Sequence, residues 1–191
     1  MVVGVLALQG AFIEHQKMLA GLHVQTLDVR LPEHLFSING LIIPGGESTT
    51  IGKLAEAYHL IEPIQAFAKN RPIWGTCAGM IFMAKKINHA SQQRLEIMDI
   101  HVQRNAFGRQ VDSFLTPLNI PELGGNPFPG VFIRAPAVVD YGPDVCVVAS
   151  LPDGRIVAVK EKHWLATSFH PELTDDNRFH KFFLDMIYAY Q

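Results

Sequence analysis

The sequence predicts a single α/β domain over residues 1–191, with a mostly parallel sheet and antiparallel strands added in its C-terminal half. Three observations lead there. Apolar runs rich in Val and Ile alternate with helical patterns through the first half, as parallel strands joined by crossover helices require. In the second half short apolar runs follow one another through turns such as Pro152-Asp153-Gly154, the mark of antiparallel pairing. The length of 191 residues, 48% hydrophobic and 18% charged, suits one compact unit with a full core and lies far from the composition of a disordered chain.

Val2 to Leu8 is the first expected strand, an apolar run ending at Gln9-Gly10. No basic residues precede it, and it stops too soon for a signal peptide or a membrane span. Phe12 to Ala20 places Phe12 and Leu19 at helical spacing, with Gly21 as a stop, and Val24 to Val29 is the next strand. Leu41-Ile42-Ile43 then runs into Pro44-Gly45-Gly46-Glu47-Ser48-Thr49-Thr50. Paired glycines there permit unusual backbone angles, and Ser48 or Thr49 can cap a helix through Leu54 to Tyr58. Pro63 opens a helical stretch to about Asn70, and Pro72-Ile73-Trp74 is a short strand followed by a helix reaching about Lys85. Further strands are expected near 96–103, 131–133, 145–151, 155–160 and 164–168. Asn119 to Gly130, with three prolines and three glycines, reads as an irregular surface loop. Asn177 to Tyr188 closes the domain as a helix with Phe179, Phe182, Phe183, Met186 and Ile187 along one face.

Sixteen Lys and Arg against eighteen Asp and Glu leave a net charge of −2, so there is no basic field to hold nucleic acid or an anionic membrane. Two cysteines, Cys77 and Cys146, make neither a disulfide framework nor a Cys-x-x-Cys metal pair, which fits a reducing cytoplasm.

The strongest chemical signal is Gly75-Thr76-Cys77-Ala78-Gly79, a Gly-x-nucleophile-x-Gly pattern between a strand and a helix. A sharp turn there holds the nucleophile in strained backbone geometry, and side chains at the flanking glycines would collide with neighbouring backbone. The helix N-terminus favours thiolate, and the Ala78 amide points towards an oxyanion formed when sulfur attacks a carbonyl. Without a base the same motif describes an inert buried cysteine. His170, in Ser168-Phe169-His170-Pro171-Glu172, supplies one: Glu172 lies two residues on, the spacing that places both side chains on one side of an extended segment, and a carboxylate there holds the imidazole's tautomer. His15, His23, His34, His59, His89, His101, His163 and His180 have no comparable setting and read as solvated residues. Cys146, within Val145-Cys146-Val147-Val148, reads as a core residue.

Cys77 in its elbow with His170 and Glu172 in His-Pro-Glu resembles the class I glutamine amidotransferases. Five further blocks are similar to the branch that serves pyridoxal 5′-phosphate synthases: Leu8-Gln9-Gly10-Ala11, Pro44 to Thr50, Arg104-Asn105-Ala106-Phe107-Gly108-Arg109-Gln110, Phe132-Ile133-Arg134-Ala135-Pro136 and Ser168 to Thr174. Leu95-Glu96-Ile97 departs from that branch, which usually has Leu-Gly-Leu there. The resemblance implies a three-layer, doubly wound sheet and a Cys77-His170-Glu172 triad that hydrolyses L-glutamine to glutamate and ammonia, with no metal or organic cofactor. It implies that Gly46, Glu47 and Ser48 line the glutamine pocket, with Arg104, Ile133 and Arg134 on the other side, and that Gln9, Gly10, Gly45 and Ala78 surround the oxyanion. It also implies a synthase partner, twelve copies of each subunit, which combines the ammonia with ribose 5-phosphate and glyceraldehyde 3-phosphate, and a glutaminase that is nearly idle until it docks. Partner docking is expected to reorient the Gly45-Gly46 amides. The alternatives are a glutaminase of another pathway, a silent binding subunit that keeps the triad, and a cysteine peptidase.

Overall fold

The computed structural model describes residues 1–88, 91–108 and 112–190, so His89, Arg109 and Gln110 lie outside the described residues. The strands are β1 (Val2–Leu6), β2 (Gln25–Val29), β3 (Gly40–Ile43), β4 (Ile73–Thr76), β5 (Ala84–Ile87), β6 (Met98–Gln103), β7 (Ser113–Leu118), β8 (Phe128–Ile133), β9 (Ala137–Tyr141), β10 (Val145–Ser150), β11 (Ile156–Glu161) and β12 (Trp164–Thr167). The helices are α1 (Phe12–Gly21), α2 (Ser48–Ala57), α3 (Ile61–Ala68), α4 (Ala78–Met83) and α5 (Arg178–Ala189). Among the described residues no helix is long and apolar enough to cross a membrane.

Ten strands form one sheet in the order β2-β1-β3-β4-β12-β11-β9-β6-β5, with β10 also on β11, while β7 and β8 make a separate antiparallel ribbon. From β2 to β12 every pairing is parallel. The pairings among β12, β11, β9 and β6 are antiparallel. The mostly parallel sheet with antiparallel C-terminal additions is therefore the architecture observed. Successive residues of the central strands serve opposite faces. Leu41, Ile43 and Ile73 join α2, α3 and α4 in one core, whereas Ile42 and Trp74 join Leu19 of α1, the ribbon and α5 in the other. Two cores on two faces make three layers, and they explain why these short strands are continuous apolar runs.

Because β1, β3, β4 and β12 are parallel, the segments after them emerge at one edge of the sheet. Those segments are Gln9-Gly10, Gly45-Gly46, Cys77 and Ser168 to His170. Four stretches far apart in sequence thus converge because of strand direction.

Several expectations are corrected. The cap of α2 is neither Ser48 nor Thr49 but Glu47, whose carboxylate accepts the Thr49 and Thr50 amides at 3.0 and 2.7 Å; a charged acceptor at a helix N-terminus outcompetes a hydroxyl. The helix after Cys77 ends at Met83 rather than near Lys85, and Ala84–Ile87 pairs with β6 because an available strand edge overrides the helix preference of Ala-Lys-Lys. Asn119 to Gly130 is not all surface loop: Ile120 and Phe128 are buried and Phe128 begins β8. Its partner β7 and strand β9 lie outside every expected segment. Pro117 faces Pro129 in this ribbon, a pairing tolerated because each strand keeps a free edge.

Cys146 is exposed, not a core residue. Strand β10 alternates Val145 inward and Cys146 outward in regular register with β11, and the irregular register between Val147 and Ser150 then leaves Val147 out and Val148 in. His15, His163 and His180 are buried rather than solvated.

Candidate active site

Cys77 has φ 48° and ψ −102°, a conformation that costs a non-glycine residue on the order of 1–3 kcal/mol and persists only when its surroundings enforce it. Those surroundings are visible. The Cys77 amide donates to the Thr167 carbonyl at 2.7 Å, tying the elbow to β12. A Cβ on Gly79 would lie 2.1 Å from the Ile43 carbonyl oxygen, and one on Gly75 would lie 2.6 Å from the backbone of Gly79. Helix and strand can pack this closely only through glycine, which is the physical content of the Gly-x-Cys-x-Gly pattern. The thiol donates to the Ile133 carbonyl at 3.8 Å.

His170 follows β12, and its amide donates to the Val131 carbonyl at 2.8 Å, so the β7–β8 ribbon fixes its backbone. Its Nδ1–H donates to Glu172 Oε1 at 2.7 Å. The pair meets across the start of a single 3-10 turn, Pro171–Leu173, rather than along an extended segment. Both residues are buried, His170 at 7% exposure and Glu172 at 5%. Burial disfavours the imidazolium, but hydrogen bonding with Cys77 and Glu172 more than offsets it and raises His170 from 6.5 to about 10. Glu172 is lowered: burial works against its charge, and His15 and His170 outweigh that penalty.

Every site residue singled out in the sequence except Glu172 borders one cavity of about 620 Å³: Gln9, Gly10, Gly45, Gly46, Glu47, Ser48, Cys77, Ala78, Arg104, Ile133, Arg134 and His170. Glu172 stands behind His170. Gly45 lies between Cys77 and His170, since a Cβ there would fall 2.4 Å from His170 Cε1 and 3.3 Å from Cys77 Cβ. Its amide donates to Thr76 Oγ1 at 3.0 Å, and its carbonyl accepts from the Ala11 amide at 3.0 Å. The Gly45 amide is thus turned away from the cavity, leaving Gly46 and Ala78 as the bordering loop and elbow amides. Gln9 secures this loop by accepting the Glu47 amide at 2.8 Å. Gly10 adopts φ +100°, and a Cβ there would meet the Gly45 oxygen at 1.9 Å.

Opposite, Arg104 Nη2 lies 3.6 Å from Glu47 Oε1, and its Nη1 donates to Gln92 Oε1 at 3.2 Å. Arg134 and Asn105 both have positive φ, so strained backbone gathers around this cavity at Cys77, Asn105 and Arg134. The sequence reading misses Gln92, for which no local signal exists. It also misses His15, whose buried face position four residues before Leu19 is a signal that spacing alone contains.

Helices on both faces of a mostly parallel sheet, an elbow cysteine and a buried His-Glu pair at one cavity define an α/β protein of the cysteine-elbow class. Residues 5–189 match the SNO glutamine amidotransferase family, and the chain belongs to that family. The pyridoxal 5′-phosphate synthase subunit PdxT of Herpetosiphon aurantiacus is 60% identical over 190 residues, covering 97% of this chain and 100% of that protein. The subunit of the same name from Dehalococcoides mccartyi strain 195 is 55% identical over 194 residues, covering 100% of both chains. A crystal structure of a glutamine amidotransferase superposes with a TM-score of 0.92 at 47% identity, over 98% of this chain and 99% of that one. The glutaminase domain of a Trypanosoma brucei CTPS with bound acivicin, 14% identical with a TM-score of 0.60 over 98% of this chain and 93% of that one, shares the fold alone.

Proposed function

We propose that this chain hydrolyses L-glutamine to L-glutamate and ammonia, and that it supplies the ammonia to a pyridoxal 5′-phosphate synthase subunit in the cytoplasm. The observation that carries this reading is the buried line from Cys77 through His170 to Glu172 at the edge of a cavity bordered by Gly46 and Ala78.

The Cys77 sulfur attacks the glutamine side-chain carbonyl carbon, and the carbonyl electrons move onto oxygen, where the Gly46 and Ala78 amides meet the charge. As the tetrahedral intermediate collapses, the C–N bond breaks and the His170 imidazolium gives its proton to the departing ammonia. A glutamyl thioester remains. His170, now neutral, takes a proton from water, whose oxygen attacks the thioester; the C–S bond breaks and glutamate leaves. Glu172 stabilises the charged ring in both halves. Arg104 and Arg134 suit the substrate α-carboxylate, while Glu47 and the Ile133 carbonyl suit its α-ammonium.

Docking of the synthase reorients the Gly45-Gly46 peptide, which glycine allows at low steric cost, and the complex holds twelve copies of each subunit. The test is glutamate and ammonia release by wild type and Cys77→Ala, each free and mixed with the synthase subunit. Release is expected from wild type with the partner and none from the variant. Complex formation without glutamate marks a silent binding subunit, and equal turnover with and without partner removes the gating.

A further inference from the structure

Two histidines behind the Cys77–His170–Glu172 line have no part in the steps above. His15 and His180 are fully buried, packed against Trp74. His180 Nε2 lies 3.0 Å from His15 Nδ1. On the other side of the ring, His15 Nε2 lies 3.2 Å from Thr76 Oγ1 and 3.4 Å from Glu172 Oε2. Glu172 spends its Oε1 on His170, while its buried Oε2 has no hydrogen-bond partner among the described residues and stands 3.4 Å from His15 Nε2.

A carboxylate offers only lone pairs. An unprotonated ring nitrogen facing it would set lone pair against lone pair, so the favourable tautomer of His15 carries its proton on Nε2. Burial lowers the pKa of both histidines and keeps them neutral, His180 well below its usual value. Neutral His15 then has a bare Nδ1, which accepts the Nε2–H of His180. His180 is left with a bare Nδ1, in keeping with the burial of that atom without a partner.

We infer that His15 is a positioning residue for this reaction: its Nε2–H, in the tautomer that His180 selects, faces the second oxygen of Glu172 at 3.4 Å and steadies that carboxylate, and through it the ring of His170. The inference rests on the glutaminase reading and deepens it. Thr76 extends the same contact, since its hydroxyl oxygen touches His15 and accepts the Gly45 amide. One neutral ring therefore steadies both the acid of the triad and the glycine loop.

Nitrogen-15 NMR of histidine-labelled wild-type protein reads the tautomer directly. A protonated Nε2 and bare Nδ1 on His15 are expected; a protonated Nδ1 overturns the inference. In the complex with the synthase subunit, His15→Leu lowers kcat for glutamate release by at least about tenfold while KM for glutamine stays within about twofold. His15→Gln, whose amide nitrogen can reach the place of Nε2, recovers kcat to within about threefold of wild type. Equal losses in the two variants, or a KM that moves as far as kcat, reduce His15 to packing and overturn the inference. If the wild-type complex releases no glutamate, the glutaminase reading fails instead, and the NMR result still decides whether His15 holds Glu172.

Discussion

Glu172→Gln takes one charge out of the site and leaves the side chain's size almost unchanged. The carboxylate lies 2.7 Å from His170 Nδ1 and, with Cys77, lifts that ring from 6.5 to about 10 against the penalty of burial. At about 1.4 kcal/mol per pH unit, the rise amounts to about 5 kcal/mol of preference for the imidazolium. The amide oxygen of Gln can still accept the Nδ1 hydrogen bond, but burial then acts on the charged ring with Cys77 alone opposing it. If the two partners share the preference evenly, the variant loses about 2.5 kcal/mol and His170 titrates about two pH units lower. Stability follows with a definite sign. The pKa of His170 is raised on folding, so its contribution is complete below 6.5 and fades as pH rises towards about 10. That of Glu172 is lowered, so its contribution is complete above 4.5 and fades as pH falls. The advantage of wild type over the variant is therefore widest between 4.5 and 6.5. The assay is NMR titration of the His170 ring nitrogens beside urea unfolding on both sides of neutrality. An unchanged titration, or a stability gap that widens from neutral to alkaline pH, would refute the reasoning.

Gly79→Ala places a Cβ 2.1 Å from the Ile43 carbonyl oxygen, where backbone faces backbone, and should cost about 3 kcal/mol or more, read as a lower denaturant midpoint. Glu47→Ala removes the cap of α2 and should cost about 1 kcal/mol, with Glu47→Gln in between. Burial opposes the charge of Glu47, but the hydrogen bonds from Thr50 and Thr49 together outweigh it and hold Glu47 down at about 2, so the difference between Glu47 and Gln in chemical unfolding shrinks as pH falls from 4.5 towards 2. Arg104→Met removes a charged donor from the cavity and should raise KM for glutamine about tenfold while kcat stays within about threefold, in steady-state glutamate release with the synthase present.

The elbow is legible in the sequence because its chemistry is local. Five consecutive residues contain the candidate nucleophile, the amide proposed to meet the oxyanion and the two glycines that let helix and strand approach, and Ile43 supplies the oxygen that makes Gly79 obligatory. His170 and Glu172 are legible for the same reason, two positions apart, although a 3-10 turn rather than an extended segment brings them together. The strands at 2–6, 40–43 and 73–76 are legible because both faces are buried, which leaves unbroken apolar runs.

Other features depend on partners distant along the chain. Strand β5 forms on Ala-Lys-Lys because β6 presents an edge, and β7 forms around Pro117 because β8 lies beside it. Cys146 points outward because β10 pairs with β11 so that Val145 faces inward and its neighbour faces out, a choice of side that no property of Val-Cys-Val-Val foretells. His15 reads as a solvated helix residue until Thr76, 61 positions on, and His180, 165 positions on, surround it.

Residue order by itself determines the repertoire of groups and their short-range geometry: the alternation of strand and helix, the glycine-flanked thiol, the histidine with its carboxylate. Which histidines are enclosed and which cysteine meets water are decided only by tertiary structure. Backbone preference and hydrophobic period act over a few residues, whereas desolvation and hydrogen-bond pairing act between surfaces that exist only once the sheet has brought its strands together.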